Sequence, residues 1–116
     1  MRIKTSVVLF LVAILGISSV AFAAEDVDGR SLAFDKKKGN CLACHAIPSD
    51  PKAEAAGNIG PPLTNIKSLY PDRAKLRAQI WDATVANPET VMPPFGRNKI
   101  LTEHEIDLVT DYVYGL

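Results

Sequence analysis

The residues best equipped for chemistry are Cys41-Leu42-Ala43-Cys44-His45. On a helical turn, positions i, i+3 and i+4 share one face, so both thiols and the imidazole point the same way. Two thiols so placed can add to the two vinyl groups of one tetrapyrrole and leave the imidazole facing its iron. The C-x-x-C-H spacing is the attachment signature of c-type haem. A covalent tether also suits export, because the cofactor cannot be lost by dilution. A thioredoxin-like dithiol expects a βαβ setting, which the sequence lacks. Structural zinc needs four Cys/His ligands, and the whole chain holds two Cys and two His. A plain disulfide has no use for His45.

An iron so placed takes a sixth ligand. Once Met1 leaves with the export signal described below, Met92 is the only methionine and His104 the only second histidine. Met92 lies in Thr90-Val91-Met92-Pro93-Pro94-Phe95-Gly96, a stiff loop that presents a thioether at little entropic cost. The competing role for Met92 is a core gap-filler. His104, between Glu103 and Glu105, reads as an outward residue in the first turn of a helix. A His/Met pair raises the reduction potential and fills both axial positions, giving a one-electron carrier with no open site.

These groups need short helices and long loops to position them. Asp28 is the N-cap of a helix expected over Gly29 to Lys38, with a weak apolar face at Leu32, Ala33 and Phe34. Gly39 and Asn40 stop it, and Lys36 to Lys38 suit a helix C-terminus. Ala46 to Leu63 contains Pro48, Pro51, Pro61 and Pro62 with Gly57 and Gly60, and reads as loop. Leu63 to Leu69 fits a short helical piece. A helix from Pro71 to Val85 carries Leu76, Ile80 and Ala83 at helical spacing, with Trp81 beside them. Glu89 to Lys99 is loop again. Thr102 and Glu105 form a capping box for the last helix, Leu101 and Ile106 a hydrophobic staple, and Ile106, Val109 and Val113 its buried stripe. The fold class is therefore all-α, with three or four short helices whose long loops make sense if they wrap a ligand.

The first 23 residues read as a signal peptide. Arg2 and Lys4 precede an apolar stretch from Val7 to Ile17, and Ala21-Phe22-Ala23 ends in a cleavage site. Removing them from 116 residues leaves a domain of 93, residues 24–116, whose charge falls from zero to −2 with the loss of Arg2 and Lys4. The other reading, an uncleaved anchor, conflicts with the shortness of the apolar core. The charge balance gives no reason to expect a nucleic-acid partner, and a 47% apolar content argues against disorder. A domain this small needs a staple for its core, which a covalent haem supplies.

The order helix, CxxCH, loop, Met, helix resembles class I cytochrome c. Gly39-Asn40-Cys41-Leu42-Ala43-Cys44-His45, Ala56-Gly57-Asn58-Ile59-Gly60-Pro61-Pro62-Leu63, Gln79-Ile80-Trp81-Asp82-Ala83-Thr84 and Asn87-Pro88-Glu89-Thr90-Val91-Met92-Pro93-Pro94-Phe95-Gly96-Arg97-Asn98 resemble the SoxX family more closely. SoxX proteins are the monohaem subunits of SoxAX complexes in sulfur-oxidising bacteria. The resemblance implies one covalently bound haem c on Cys41 and Cys44, with His45 and Met92 as the axial ligands. It implies that the Pro61 carbonyl accepts from His45 and that Leu63 packs on the haem. Arg77, Arg97 and Asn98 are candidates for the propionates or for plain solvation; Trp81 and Tyr112 read as packing.

The resemblance further implies a periplasmic electron-transfer subunit of an L-cysteine S-thiosulfotransferase. In such an enzyme a SoxA-like cytochrome partner holds the catalytic haem, and thiosulfate is coupled to a cysteine of the SoxYZ carrier. Electrons then leave to a downstream cytochrome c. The mature chain is short beside relatives with long N-terminal extensions, which leaves room for a small accessory subunit. The alternatives are a free-standing diffusible cytochrome c shuttle and a haem-based sensing module in which Met92 is displaced.

Overall fold

The computed structural model describes residues 26–116. They form four α-helices and two short 3-10 turns joined by long loops, with no strand among the described residues. The all-α expectation holds. The expected signal peptide, residues 1–23, lies outside the described residues. No described helix is long and apolar enough to cross a membrane.

Helix α1 spans Gly29–Phe34, and the Asp28 carboxylate accepts the Ser31 N–H at 2.7 Å. It is shorter than the expected Gly29 to Lys38. Asp35 turns extended, and its carboxylate accepts the Lys37 N–H at 2.8 Å. This side-chain turn wins over another helical turn. Lys36 to Lys38 therefore form a tight turn rather than a helix end. Asn40, at a left-handed φ of 48°, then starts the 3-10 turn Cys41–Ala43.

Helix α2 spans Ile66–Leu69 and α3 spans Arg73–Trp81. The latter is narrower than Pro71 to Val85 at both ends. Asp72 takes the cap by accepting the Ala74 N–H at 2.8 Å, so Pro71 precedes the cap instead of entering the first turn. Asp82 goes extended and accepts the Thr84 N–H at 3.0 Å, restarting the chain as the 3-10 turn Ala83–Val85. Leu76, Ile80 and Ala83 are all buried, as their spacing requires.

Helix α4 spans Glu103–Tyr114 behind the expected capping box. Thr102 Oγ1 accepts the Glu105 N–H at 3.2 Å, and Glu105 Oε2 accepts the Thr102 N–H at 2.8 Å. Its buried stripe is Ile106, Val109 and Val113, with Leu101 buried just before the cap. Both α1 and α3 pack on α4. Their shared core joins Leu32, Ile66, Leu76 and Ile80 to that stripe. The rim between α3 and α4 is laced by ion pairs. Arg77 Nε bonds Asp107 at 2.6 Å, and Arg73 Nε bonds Asp111 at 2.6 Å. A second cluster ties the loop after the CxxCH motif to α1 and α4: Asp50 accepts from Arg30 Nε at 2.5 Å and from Tyr112 at 3.2 Å.

Candidate haem-binding site

The CxxCH motif folds as a helical turn, with the Cys44 N–H donating to the Cys41 carbonyl at 3.1 Å and the His45 N–H to the same carbonyl at 2.9 Å. Cys41, Cys44 and His45 consequently line one cavity. Met92 from the proline-rich loop lines the same cavity, as do Leu76, Gln79 and Ile80 from α3. The cavity measures about 680 Å³, within the usual 300–1,000 Å³ of cofactor pockets. Its lining is mostly apolar, as a tetrapyrrole face requires.

The imidazole wall is built by backbone. Three bonds zip residues 57–63 onto the motif: the Gly57 N–H donates to Leu42, the Gly60 N–H to Cys44 and the Leu63 N–H to Ala46, each at 2.8 Å. Two glycines permit that closeness. A Cβ on Gly57 would stand 2.0 Å from the Ala43 oxygen, and one on Gly60 2.3 Å from Cε1 of His45. The zipped loop brings the Pro61 carbonyl 2.6 Å from His45 Nδ1. A carbonyl only accepts, so Nδ1 carries the proton and the Nε2 lone pair is left available for a metal. This is the chemistry of a haem-iron ligand, and it is the feature by which the residues present fit the group.

Burial pushes the Cys41 thiol up to about 11. A thiol so protonated is a poor partner for disulfide exchange. Leu63 lines the cavity and packs against the core. His104 is exposed and does not line it.

Arg77, Arg97 and Asn98 do not line the cavity either. Arg77 is drawn to Asp107 and Glu103 on α4, with its guanidinium 5.6 Å from the Trp81 ring centre. Arg97 Nη1 pairs with Asp82 at 3.0 Å. Asn98 is exposed. Trp81 supports the loop after Met92: a Cβ on Gly96 would meet its ring at 2.0 Å, and the Gly96 N–H donates to the Trp81 carbonyl at 3.1 Å. Tyr112 stands edge-on to Phe34 at 6.3 Å. Burial and the neighbouring Asp50 push its hydroxyl up to about 12. The Arg30 bond to Asp50 holds that carboxyl well below the usual range.

Sequence reasoning missed three sets of polar lining groups. Lys36, Lys37 and Lys38 reach the cavity because the Asp35 turn folds them back over the motif. Gln79 faces it from α3, three residues after Leu76, and its position in the apolar stripe was a readable signal. Thr90 lines it two residues before Met92.

Comparison with known proteins agrees with this geometry. Residues 28–113 match the family described as Cytochrome C oxidase, cbb3-type, subunit III. A protein of Aquifex aeolicus (strain VF5) described as an uncharacterized lipoprotein is 36% identical over 78 residues, which cover 67% of this chain. The matched part is only 37% of that relative's length. The crystal structure of SoxXA from P. pantotrophus superposes with a TM-score of 0.67 at 26% identity, over 74% of this chain and 77% of that one. The chain thus belongs to the cytochrome c family described as cbb3-type cytochrome C oxidase subunit III; it is a SoxX-like monohaem cytochrome with one covalently bound haem c.

Proposed function

We propose that this chain is the electron-accepting subunit of a SoxAX-type complex outside the cytoplasm. In this reading Cys41 and Cys44 would tether the haem by two thioether links, and His45 Nε2 and Met92 Sδ would hold its iron. The bound haem supplies a one-electron couple. The chain's own residues would hold the group in place and leave no open site for another ligand. Pro61 holds the His45 proton on Nδ1, which orients the ring and leaves Nε2 available to a metal. Leu63, Leu76 and Ile80 line the cavity and would exclude water from a bound haem. The observation that carries the reading is the pinned His45 ring, which shares one apolar cavity with both cysteines and Met92.

The complex would couple thiosulfate to a carrier cysteine such as that of SoxYZ. Joining a thiolate to thiosulfate as an S–S bond releases two electrons. A SoxA-like partner would hold the catalytic site, and this chain would pass the electrons singly to a further cytochrome. The likeness to SoxXA supports this assignment. The periplasm is the proposed compartment, reached by a cleavable signal over residues 1–23. The test is purification from cells grown on thiosulfate. A stoichiometric complex with a second c-type cytochrome, whose reduction by thiosulfate requires the carrier, is the expected result. A monomer that exchanges electrons rapidly with a terminal oxidase would replace the proposal with the diffusible shuttle. The oxidase family that the chain matches favours that second reading.

A further inference from the structure

The loop bearing Met92 is tied down at both ends but barely in between. At its start the Asn87 N–H donates to the Ala83 carbonyl at 3.0 Å. Asn87 then accepts the Glu89 N–H on Oδ1 at 3.1 Å and the Thr90 N–H on its carbonyl at 3.1 Å. At its end Phe95 is buried, and its carbonyl accepts the N–H groups of Ile100 and Leu101 at 2.9 and 3.0 Å. Pro93 and Pro94 have no N–H to give. Val91 lines the cavity but is 76% exposed. Among the described residues, one hydrogen bond from a backbone N–H is recorded between Val91 and Phe95: the Met92 N–H to Thr90 Oγ1 at 3.2 Å. Thr90 itself lines the cavity and is half-buried.

We infer that Thr90 is a positioning residue for the distal ligand: its hydroxyl oxygen fixes the Met92 backbone and thereby sets how firmly the thioether holds the iron. The inference rests on Met92 being that ligand. The geometry argues for an energetic rather than a merely local role. A thioether is a weak, neutral donor, so its occupancy depends on how little the loop must be ordered when it binds. The Pro94 carbonyl accepts the Asn98 N–H at 2.9 Å, beyond Met92; removing the hydroxyl acceptor of the Met92 N–H itself returns that ordering cost to the ligand step.

The test compares wild type, Thr90→Val, Thr90→Ser and Met92→Ala as holoproteins. Carbon monoxide affinity of the reduced haem is read with the far-red methionine-to-ferric-iron absorption band. Valine keeps the shape of threonine and loses the acceptor; serine keeps the acceptor. Thr90→Val should bind carbon monoxide about 2- to 12-fold more tightly, the factor for one lost hydrogen bond, with a weaker far-red band. Thr90→Ser should restore both. Equal affinity and band intensity in Thr90→Val and wild type, with Met92→Ala freely open, would overturn the role of Thr90 and leave the ligand intact. A Met92→Ala protein indistinguishable from wild type would overturn the ligand assignment and this inference with it. Unfolding midpoints on the same samples exclude misfolding: a general loss of structure moves the midpoint of Thr90→Ser and Thr90→Val alike, whereas a ligand-specific effect separates them.

Discussion

Adding one methyl group at Gly60 strikes the imidazole wall directly. A Cβ there would lie 2.3 Å from Cε1 of His45 and 2.7 Å from both ring nitrogens, against an ordinary contact of 3.4 Å or more. Ring and loop must therefore part by about 1.1 Å. Neither yields easily. The ring is held by the Pro61 carbonyl at 2.6 Å, and the loop by the Gly60 N–H on Cys44 at 2.8 Å. Overpacking of this kind costs about 1–3 kcal/mol. At about 2 kcal/mol, a domain of this size loses about 8–16 °C in Tm. Stretching the Nδ1–H bond also makes the imidazole a weaker donor, which raises the reduction potential. The assay is thermal unfolding of the ferric Gly60→Ala protein beside a spectroelectrochemical titration. Gly115→Ala is the control: its nearest neighbour to the new Cβ is 3.4 Å away, so its stability should stay within about 0.5 kcal/mol of wild type. If Gly60→Ala matched the control in both Tm and potential, the tight packing of His45 against this loop would be refuted.

Other outcomes follow from the same contacts. Thr102→Ala removes the capping box of α4 and should cost about 1 kcal/mol in urea unfolding, with the haem spectrum unchanged. Arg77→Ala should cost about 1 kcal/mol through its α4 partners and leave the potential at the wild-type value; a shifted potential would return Arg77 to the haem. The Asp50 carboxyl is lowered in the folded chain, so its stabilisation is present above the ordinary carboxylate range and is lost as pH falls below it. Acid titrations should therefore find the gap between wild type and Asp50→Asn closing below about pH 4. The Tyr112 hydroxyl, pushed up to about 12, works in the opposite sense. Stability should fall as pH rises above 10, and Tyr112→Phe should blunt that fall in an alkaline melt series.

Much of this site could be read from residue types. The CxxCH spacing places three groups on one face because helical geometry allows nothing else, and the capping box announces α4 for equally local reasons. What escaped were outcomes of competition. Asp35 and Asp82 each cut a helix short by offering a nearby N–H a side-chain acceptor, and apolar periodicity cannot weigh that offer. The shortened α1 in turn folds Lys36 to Lys38 over the cavity, a tertiary result of a two-residue contact. Arg77 looked free for a propionate until α4 supplied Asp107 and Glu103, whose proximity depends on how α3 and α4 cross. The need for Gly57 and Gly60 also appears only once the loop is zipped onto the motif.

The central claim is that the CxxCH segment carries the cofactor covalently. Mass analysis of a tryptic digest of protein matured outside the cytoplasm tests it directly, because cleavage after Lys38 and Lys52 isolates residues 39–52 with both cysteines and His45. That peptide should weigh its amino acids plus one haem and keep its visible absorption after denaturation. A colourless peptide of amino-acid mass alone would contradict the account.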